Sequence, residues 1–133
     1  MQDRLNTYNQ GQKYEKLAIK YLVKNGYQII KHNYQADLCQ IDIIAAKKNQ
    51  IYLIEVKKTT IACLVKTIKT FRYKQLKRIC RQKVIFESRF KEKARKKISI
   101  ILLVFAKGPQ HKLELLQFNP FIYEYSRKAD FDS

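Results

Sequence analysis

Glycine, proline and paired cysteines are scarce in this sequence. Three glycines and two prolines among 133 residues leave no flexible linker or low-complexity segment. The three cysteines, Cys39, Cys63 and Cys80, lie far apart and form no CxxC pair, which argues against a disulfide framework or a zinc site. We therefore expect reduced thiols in a cytoplasmic protein. A single domain is expected over residues 1–133, with its core at about 9–126.

Long apolar runs are also absent. The longest run, Ile98–Ala106, contains Ser99 and is too short to cross a bilayer. The first residues, Met1–Gln12, are polar and lack the apolar region of a signal peptide. We expect neither a membrane span nor an export signal.

Acidic residues are few. The sequence has eleven Asp and Glu and 28 Lys and Arg, which gives a net charge of +17. Hydrophobic residues make up 46% of the chain, enough to form a core. Residues 66–97 hold 14 of the cations and only two acids. This asymmetry favours a polyanionic partner, most simply DNA. The expected contacts to nucleic acid are Arg72, Lys74, Lys77, Arg78 and Arg81. The alternatives are a solvated face and a basic helix on anionic lipid.

Hydrophobic periodicity predicts an α/β fold with the element order α-β-β-β-α-β-β and a mixed sheet flanked by helices. The predicted helices cover Asn9–Asn25 and 64–90. The predicted strands cover Tyr27–Tyr34, Ile41–Ala46, Ile51–Lys57, Ile98–Ala106 and His111–Phe118. The remaining ends, about 1–8 and 127–133, are expected to be frayed.

Two of the rare acids fall where a hairpin brings them together. A turn centred on Lys48 and Asn49 pairs Ala46 with Ile51, which sets Asp42 opposite Glu55 on one strand face. Facing carboxylates repel each other unless a cation lies between them, and oxygen ligands of this kind suit Mg²⁺ or Mn²⁺. The alternative is a solvated hairpin face.

Two further residues can join this pair. Lys57 lies two residues after Glu55, hence on the same face, where a cation can stabilise charge on phosphorus or orient a water. Glu15 lies at the edge of the apolar face of the first helix and can point toward the sheet. An ordinary helix-flank acid is the alternative for Glu15. An acidic residue on one strand and an acid-x-Lys sequence on the next strand form a pattern that is typical of metal-assisted phosphodiester hydrolysis.

These residues resemble the PD-(D/E)XK nuclease superfamily, and more narrowly the YraN family of endonuclease-like proteins, which is similar to archaeal Holliday junction resolvases. The resemblance covers about Gly11–Phe121 and is most specific in its first half. The matching segments are Gly11–Ala18, Tyr21-Leu22, Asn25–Ile30, Asn33-Tyr34, Gln40–Ala45, Leu53–Lys57, Lys74–Ile79 and Phe118–Phe121.

The resemblance implies a restriction-endonuclease-like fold and a site with defined roles. Asp42 and Glu55 would be Mg²⁺ or Mn²⁺ ligands together with the Val56 carbonyl. Lys57 would be the catalytic lysine and Glu15 the helical acid. The family usually has Glu where this chain has Gln40, and Arg where it has Thr59.

The implied activity is metal-dependent hydrolysis of DNA, better on branched or structured DNA than on linear duplex. A non-catalytic nucleic-acid-binding module on the same fold is the alternative. A second copy of the chain, forming a homodimer, is a further candidate partner.

Overall fold

The computed structural model describes residues 2–36, 39–71, 97–119 and 122–131, and the side chains of 11–35, 40–71 and 98–118. Its helices are α1 (Gln2–Lys24) and α2 (Leu64–Thr70). Its strands are β1 (Gln28–Ala36), β2 (Cys39–Lys47), β3 (Gln50–Thr60), β4 (Lys97–Lys107), β5 (Leu113–Asn119) and β6 (Ile122–Phe131). A 3₁₀ turn, Pro109–His111, joins β4 to β5.

The six strands form one mixed sheet in the order β1-β2-β3-β4-β5-β6. All neighbouring pairs are antiparallel except β3 and β4, which run parallel. The predicted hairpin register is confirmed, since Ala46 pairs with Ile51 and Ile44 with Leu53. The turn between them places Lys48 in a left-handed conformation, at φ 55°.

The two helices cover opposite faces of the sheet. On one face α1 packs through Ala18 and Leu22 against residues of β2, β3 and β4 such as Ile43, and the fully buried Phe105 lies under the Tyr14 ring. On the other face, Leu64 and Phe71, at the two ends of α2, pack on a second cluster. That cluster contains Ile44, Ile51, Leu53, Ile98, Ile100, Leu102 and Val104. Because both faces of β4 are covered, its sequence reads as a continuous apolar run.

Both ends of the chain differ from what the sequence predicted, and the bounds of the five predicted strands shift by one to three residues. Helix α1 begins at Gln2 rather than Asn9, because its polar first turns carry no apolar periodicity yet contain no helix breaker. It ends as predicted before Gly26, whose φ is 88°. The segment 127–133, expected to be a frayed end, contains the second half of β6 (Ile122–Phe131), which pairs with β5. The second helix is described only as far as Phe71, so its predicted continuation to Phe90 lies outside the described residues.

The predicted α/β class is therefore confirmed, and the architecture is consistent with a restriction-endonuclease-like fold. Helix α1 and the β1–β2–β3 meander are the parts of this fold that carry the candidate site. No helix in the described ranges is both long and apolar enough to cross a membrane.

Candidate active site

Strands β2 and β3 separate at Asp42. Their paired register ends with Ile43 opposite Ile54, one position before Asp42 and Glu55. Beyond that point, the Asp42 carboxylate oxygen Oδ2 accepts a hydrogen bond from the backbone N–H of Val56, at 2.9 Å. A side chain thus joins the two strands where the ladder has ended, and a gap opens between them.

The same hydrogen bond orients the Val56 carbonyl. In an extended strand, the N–H and C=O of one residue leave on the same side. Since the Val56 N–H points toward Asp42, its carbonyl oxygen also faces β2. The carbonyl that the resemblance implies as a metal ligand therefore lies along the edge that carries Asp42.

Glu55 and Lys57 leave β3 on the other face. Val56 packs in the α1-side cluster, whereas Leu53 packs in the α2-side cluster. Alternation along the strand then directs Glu55 and Lys57 to the α2 side. Lys57 Nζ lies 3.4 Å from Glu55 Oε1, and both side chains are partly exposed.

The expected arrangement of Asp42, Glu55 and Lys57 on one strand face is corrected accordingly. Asp42 does not continue the ladder opposite Glu55, because its carboxylate turns into the strand gap to meet the Val56 N–H. Glu55 and Lys57 flank the Val56 peptide from the opposite face.

Glu15 approaches from α1. Its half-buried carboxylate faces the sheet rather than solvent, as its place at the edge of the apolar face indicated. Burial raises the pKa of Glu15 above its usual 4.5, and the negative charge of Asp42 raises it further, while His32 and a backbone hydrogen bond from Asn33 lower it. Two like charges therefore face one cavity. A cation between them would offset both the cost of burying the Glu15 charge and its repulsion from Asp42.

Asn33 is a site residue that the sequence reasoning did not assign. With its amide oriented for hydrogen bonding, its side-chain nitrogen donates to both Glu15 oxygens, at 2.9 and 3.1 Å. Its backbone is left-handed, at φ 51°, a conformation that Asn adopts more readily than other non-glycine residues. Two signals in the sequence pointed to it: Asn33-Tyr34 is one of the segments that match the family, and Asn is depleted inside strands.

A cavity of about 440 Å³ lies between Glu15, Asn33 and Asp42. It is lined by Gly11, Gln12, Glu15, Asn33, Gln35, Gln40, Ile41, Asp42 and Val56. Gln40 thus contributes an amide at the cavity where the resemblance implies a carboxylate. Thr59, at the position of the family's Arg, instead shares a hydrogen bond of 2.8 Å with Thr67 of α2.

The donor set at this cavity fits a hard cation. Asp42, Glu15 and the Val56 carbonyl offer only oxygen atoms. In the described part of the chain, no three His, Cys, Asp or Glu side chains are grouped closely enough to hold a metal by themselves. Mg²⁺ does not need such a cage, because it is commonly held by one or two carboxylates, waters and substrate phosphates.

The predicted nucleic-acid contacts Arg72, Lys74, Lys77, Arg78 and Arg81 lie outside the described residues, between Phe71 and β4. They remain predictions.

Comparison with known proteins agrees with the resemblance seen in the sequence. The UPF0102 protein of Caldanaerobacter subterraneus subsp. tengcongensis is 42% identical over 57 residues, which are 43% of this chain and 47% of the relative. The UPF0102 protein of Fusobacterium nucleatum subsp. nucleatum is 45% identical over 53 residues, 40% of this chain and 44% of the relative. The match to this chain thus spans less than half of each relative. A family model described as "Uncharacterised protein family UPF0102" matches residues 14–103. The chain belongs to this family, which is the YraN family.

Proposed function

We propose that this protein is a Mg²⁺- or Mn²⁺-dependent endonuclease that hydrolyses phosphodiester bonds in DNA. One observation carries the proposal: the Asp42 carboxylate, held by the Val56 N–H, faces Glu15 across a cavity at the point where β2 and β3 separate. A divalent cation between two carboxylates that face one cavity would relieve their mutual repulsion.

The metal-holding residues in this proposal are Asp42 and the Val56 carbonyl. Glu15 acts from α1, directly or through a water, and Glu55 flanks the same peptide from the other face. A bound divalent ion would polarise the scissile phosphate and lower the pKa of an attacking water.

The remaining steps belong to side chains. Asn33 holds the Glu15 carboxylate in one orientation through two hydrogen bonds, so the carboxylate can accept one from a water in the cavity. Lys57 carries a positive charge beside the Val56 peptide, and its contact with Glu55 is a partly exposed ion pair that is cheap to break. Released toward a phosphate, Lys57 stabilises the negative charge that grows in the transition state.

The proposal is tested by incubating the purified protein with branched and linear DNA in Mg²⁺, in Mn²⁺ and in EDTA. Cleavage should need the metal and be better on the branched DNA. Lys57→Ala should lower turnover by about 10²–10³ while binding stays nearly unchanged, because one transition-state contact is lost among many cations. Lys107→Ala, which removes an equal charge from an exposed position at the end of β4, is the matched control and should cleave normally.

A binding module without catalysis is the second candidate. The observation that favours it is Gln40, an uncharged amide lining the cavity where the resemblance implies Glu. DNA binding without cleavage in either metal, not restored by Gln40→Glu, would establish this candidate in place of the nuclease.

A further inference from the structure

We infer that a second nucleic-acid-binding surface lies on α1, formed by Lys13, Lys16, Lys20 and Lys24. This α1 lysine stripe would hold a phosphodiester backbone and lead it to the Glu15–Asp42 cavity. The inference rests on the proposed function, since it names how that site takes its substrate.

Helical geometry aligns the four lysines. At 3.6 residues per turn they fall within an arc of about 80°, and they span about 17 Å along the helix axis. All four are exposed. A row of cations of this length matches about five nucleotide steps of one DNA strand, at about 3.4 Å each.

The charges of the stripe are available to a ligand. Within the described ranges, none of the four lysines forms an ion pair with a carboxylate, whereas Lys57 does. Four aligned like charges repel one another, and a polyanion lying along them would offset that repulsion.

The buried apolar side of α1 argues against insertion of this helix into a lipid surface. Ala18 and Leu22 are fully buried against the sheet, and Leu17 and Tyr21 pack with them. A helix that binds a membrane surface inserts its apolar face into the lipid, and here that face is already covered by the sheet. The stripe lysines offer positive charge, which is the property that binds a phosphate backbone.

Two clefts connect the stripe to the cavity. The first is lined by Glu15, Lys16, Ile19, His32 and Asn33, together with Gln12. The second is lined by Lys13, Lys16, Lys20 and Leu17, again with Gln12. Glu15 is shared by the cavity and the first cleft, and Lys16 by the two clefts. A backbone following the lysines therefore arrives beside the carboxylates.

The stripe is distinct from the basic segment that begins in the second helix. α1 covers one face of the sheet, whereas Leu64 and Phe71 at the ends of α2 pack on the other. The α1 lysine stripe therefore lies on the other face of the sheet from Lys66 and Lys69 of α2.

The test compares two triple variants of equal charge in equilibrium binding to duplex DNA, without metal, over a series of salt concentrations. The stripe variant carries Lys13→Gln, Lys16→Gln and Lys20→Gln; Lys24 is kept because it lies in the last helical turn and stabilises it. The control carries Lys48→Asn, Lys107→Gln and Lys112→Gln at exposed positions on the hairpin turn and around the 3₁₀ turn. Circular dichroism verifies that both variants are folded.

Each lost phosphate contact reduces the slope of log K against log salt by about 0.9. The stripe variant should therefore have a slope shallower by about 2–3 and bind about 10²–10³-fold more weakly at 0.1 M salt, while the control keeps the slope of the unmodified protein. An unchanged slope in the stripe variant, or an equal change in the control, overturns the inference.

The outcome is separable from the fate of the proposed function. If the protein binds DNA through the α1 lysine stripe but never cleaves it, the binding surface is supported and the nuclease function is overturned. Metal-dependent cleavage with an unchanged KM in the stripe variant would sustain the nuclease and reject the stripe.

Discussion

Asn33 and Glu15 are 18 positions apart in the chain, yet the Asn33 amide donates to both Glu15 carboxylate oxygens, at 2.9 and 3.1 Å. A helix and an edge strand are joined here at a polar contact beside the apolar cluster that holds them together. The contact determines where the Glu15 charge lies relative to Asp42. It is therefore the first target for mutation.

Asn33→Gly should lower metal-dependent turnover by about 10–100-fold, the usual effect of removing a hydrogen-bond partner from a metal-site residue. Glycine accepts φ 51° without strain, so the backbone is retained and only the amide is lost. Asn33→Ala keeps a Cβ in the left-handed region without the polar side chain that makes Asn tolerant of it, and should also destabilise the fold by about 1–2 kcal/mol. Turnover assays and urea unfolding separate the two effects; equal activity of Asn33→Gly and the unmodified protein would contradict the positioning role.

We expect Asp42 to contribute to the stability of the fold as well as to cleavage. Asp42→Asn keeps an oxygen that can accept the Val56 N–H, whereas Asp42→Ala leaves that partly buried donor without it. We expect the Ala variant to be less stable than the Asn variant by about 1–2 kcal/mol, and both to lose cleavage. Urea unfolding in EDTA gives the comparison, and equal stability of the two variants would argue against the hydrogen bond.

The pH dependence of metal-free stability should reveal the raised pKa of Glu15. Because the folded-state pKa lies above the unfolded value, the folded protein holds this proton more tightly, and stability is lost as pH rises through the folded pKa. Glu15→Gln should therefore gain stability relative to the unmodified protein at pH 7, and the gain should disappear below about pH 4.

The causes of that shift can be separated by an NMR titration of the Glu15 carboxyl. Asp42→Asn should lower the pKa of Glu15, because it removes the second of the two causes that raise it. An unchanged pKa would mean that the charge of Asp42 does not act on Glu15.

Gln40→Glu tests whether the cavity is short of one carboxylate. A third acid beside Asp42 and Glu15 should tighten Mn²⁺ binding, measured by calorimetry, and raise turnover. In EDTA the same change should destabilise the protein, because it adds a like charge to a site that already holds two. Gln35→Glu, at the same cavity, is the matched control for the added charge.

Phe105 should be a main determinant of stability. Its side chain is fully buried and its ring centroid lies 5.4 Å from that of Tyr14 on α1. Phe105→Ala should reduce the free energy of unfolding by about 3–5 kcal/mol, and Phe105→Leu by less. Chemical denaturation measures both, and a loss below about 1 kcal/mol for the alanine variant would contradict this packing.

Much of the fold is encoded locally. The periodicity of α1, the apolar run of β4 and the polar turn at Lys48 and Asn49 each depend on neighbours a few residues away, so the sequence predicts them and the hairpin register. The last strand, β6, was not predicted, because its pairing with β5 depends on an edge that exists only once the sheet has formed.

The sequence by itself identified the side chains that are proposed to carry the chemistry: a helical acid, an acid on β2, and Glu55 and Lys57 on β3. Tertiary structure decided how they meet. The end of the β2–β3 ladder turned Asp42 toward the Val56 N–H, and the left-handed backbone of Asn33 directed its amide at Glu15. Strand alternation fixes a face only while the strands remain paired and regular, so a site built where pairing ends is determined by contacts between distant segments.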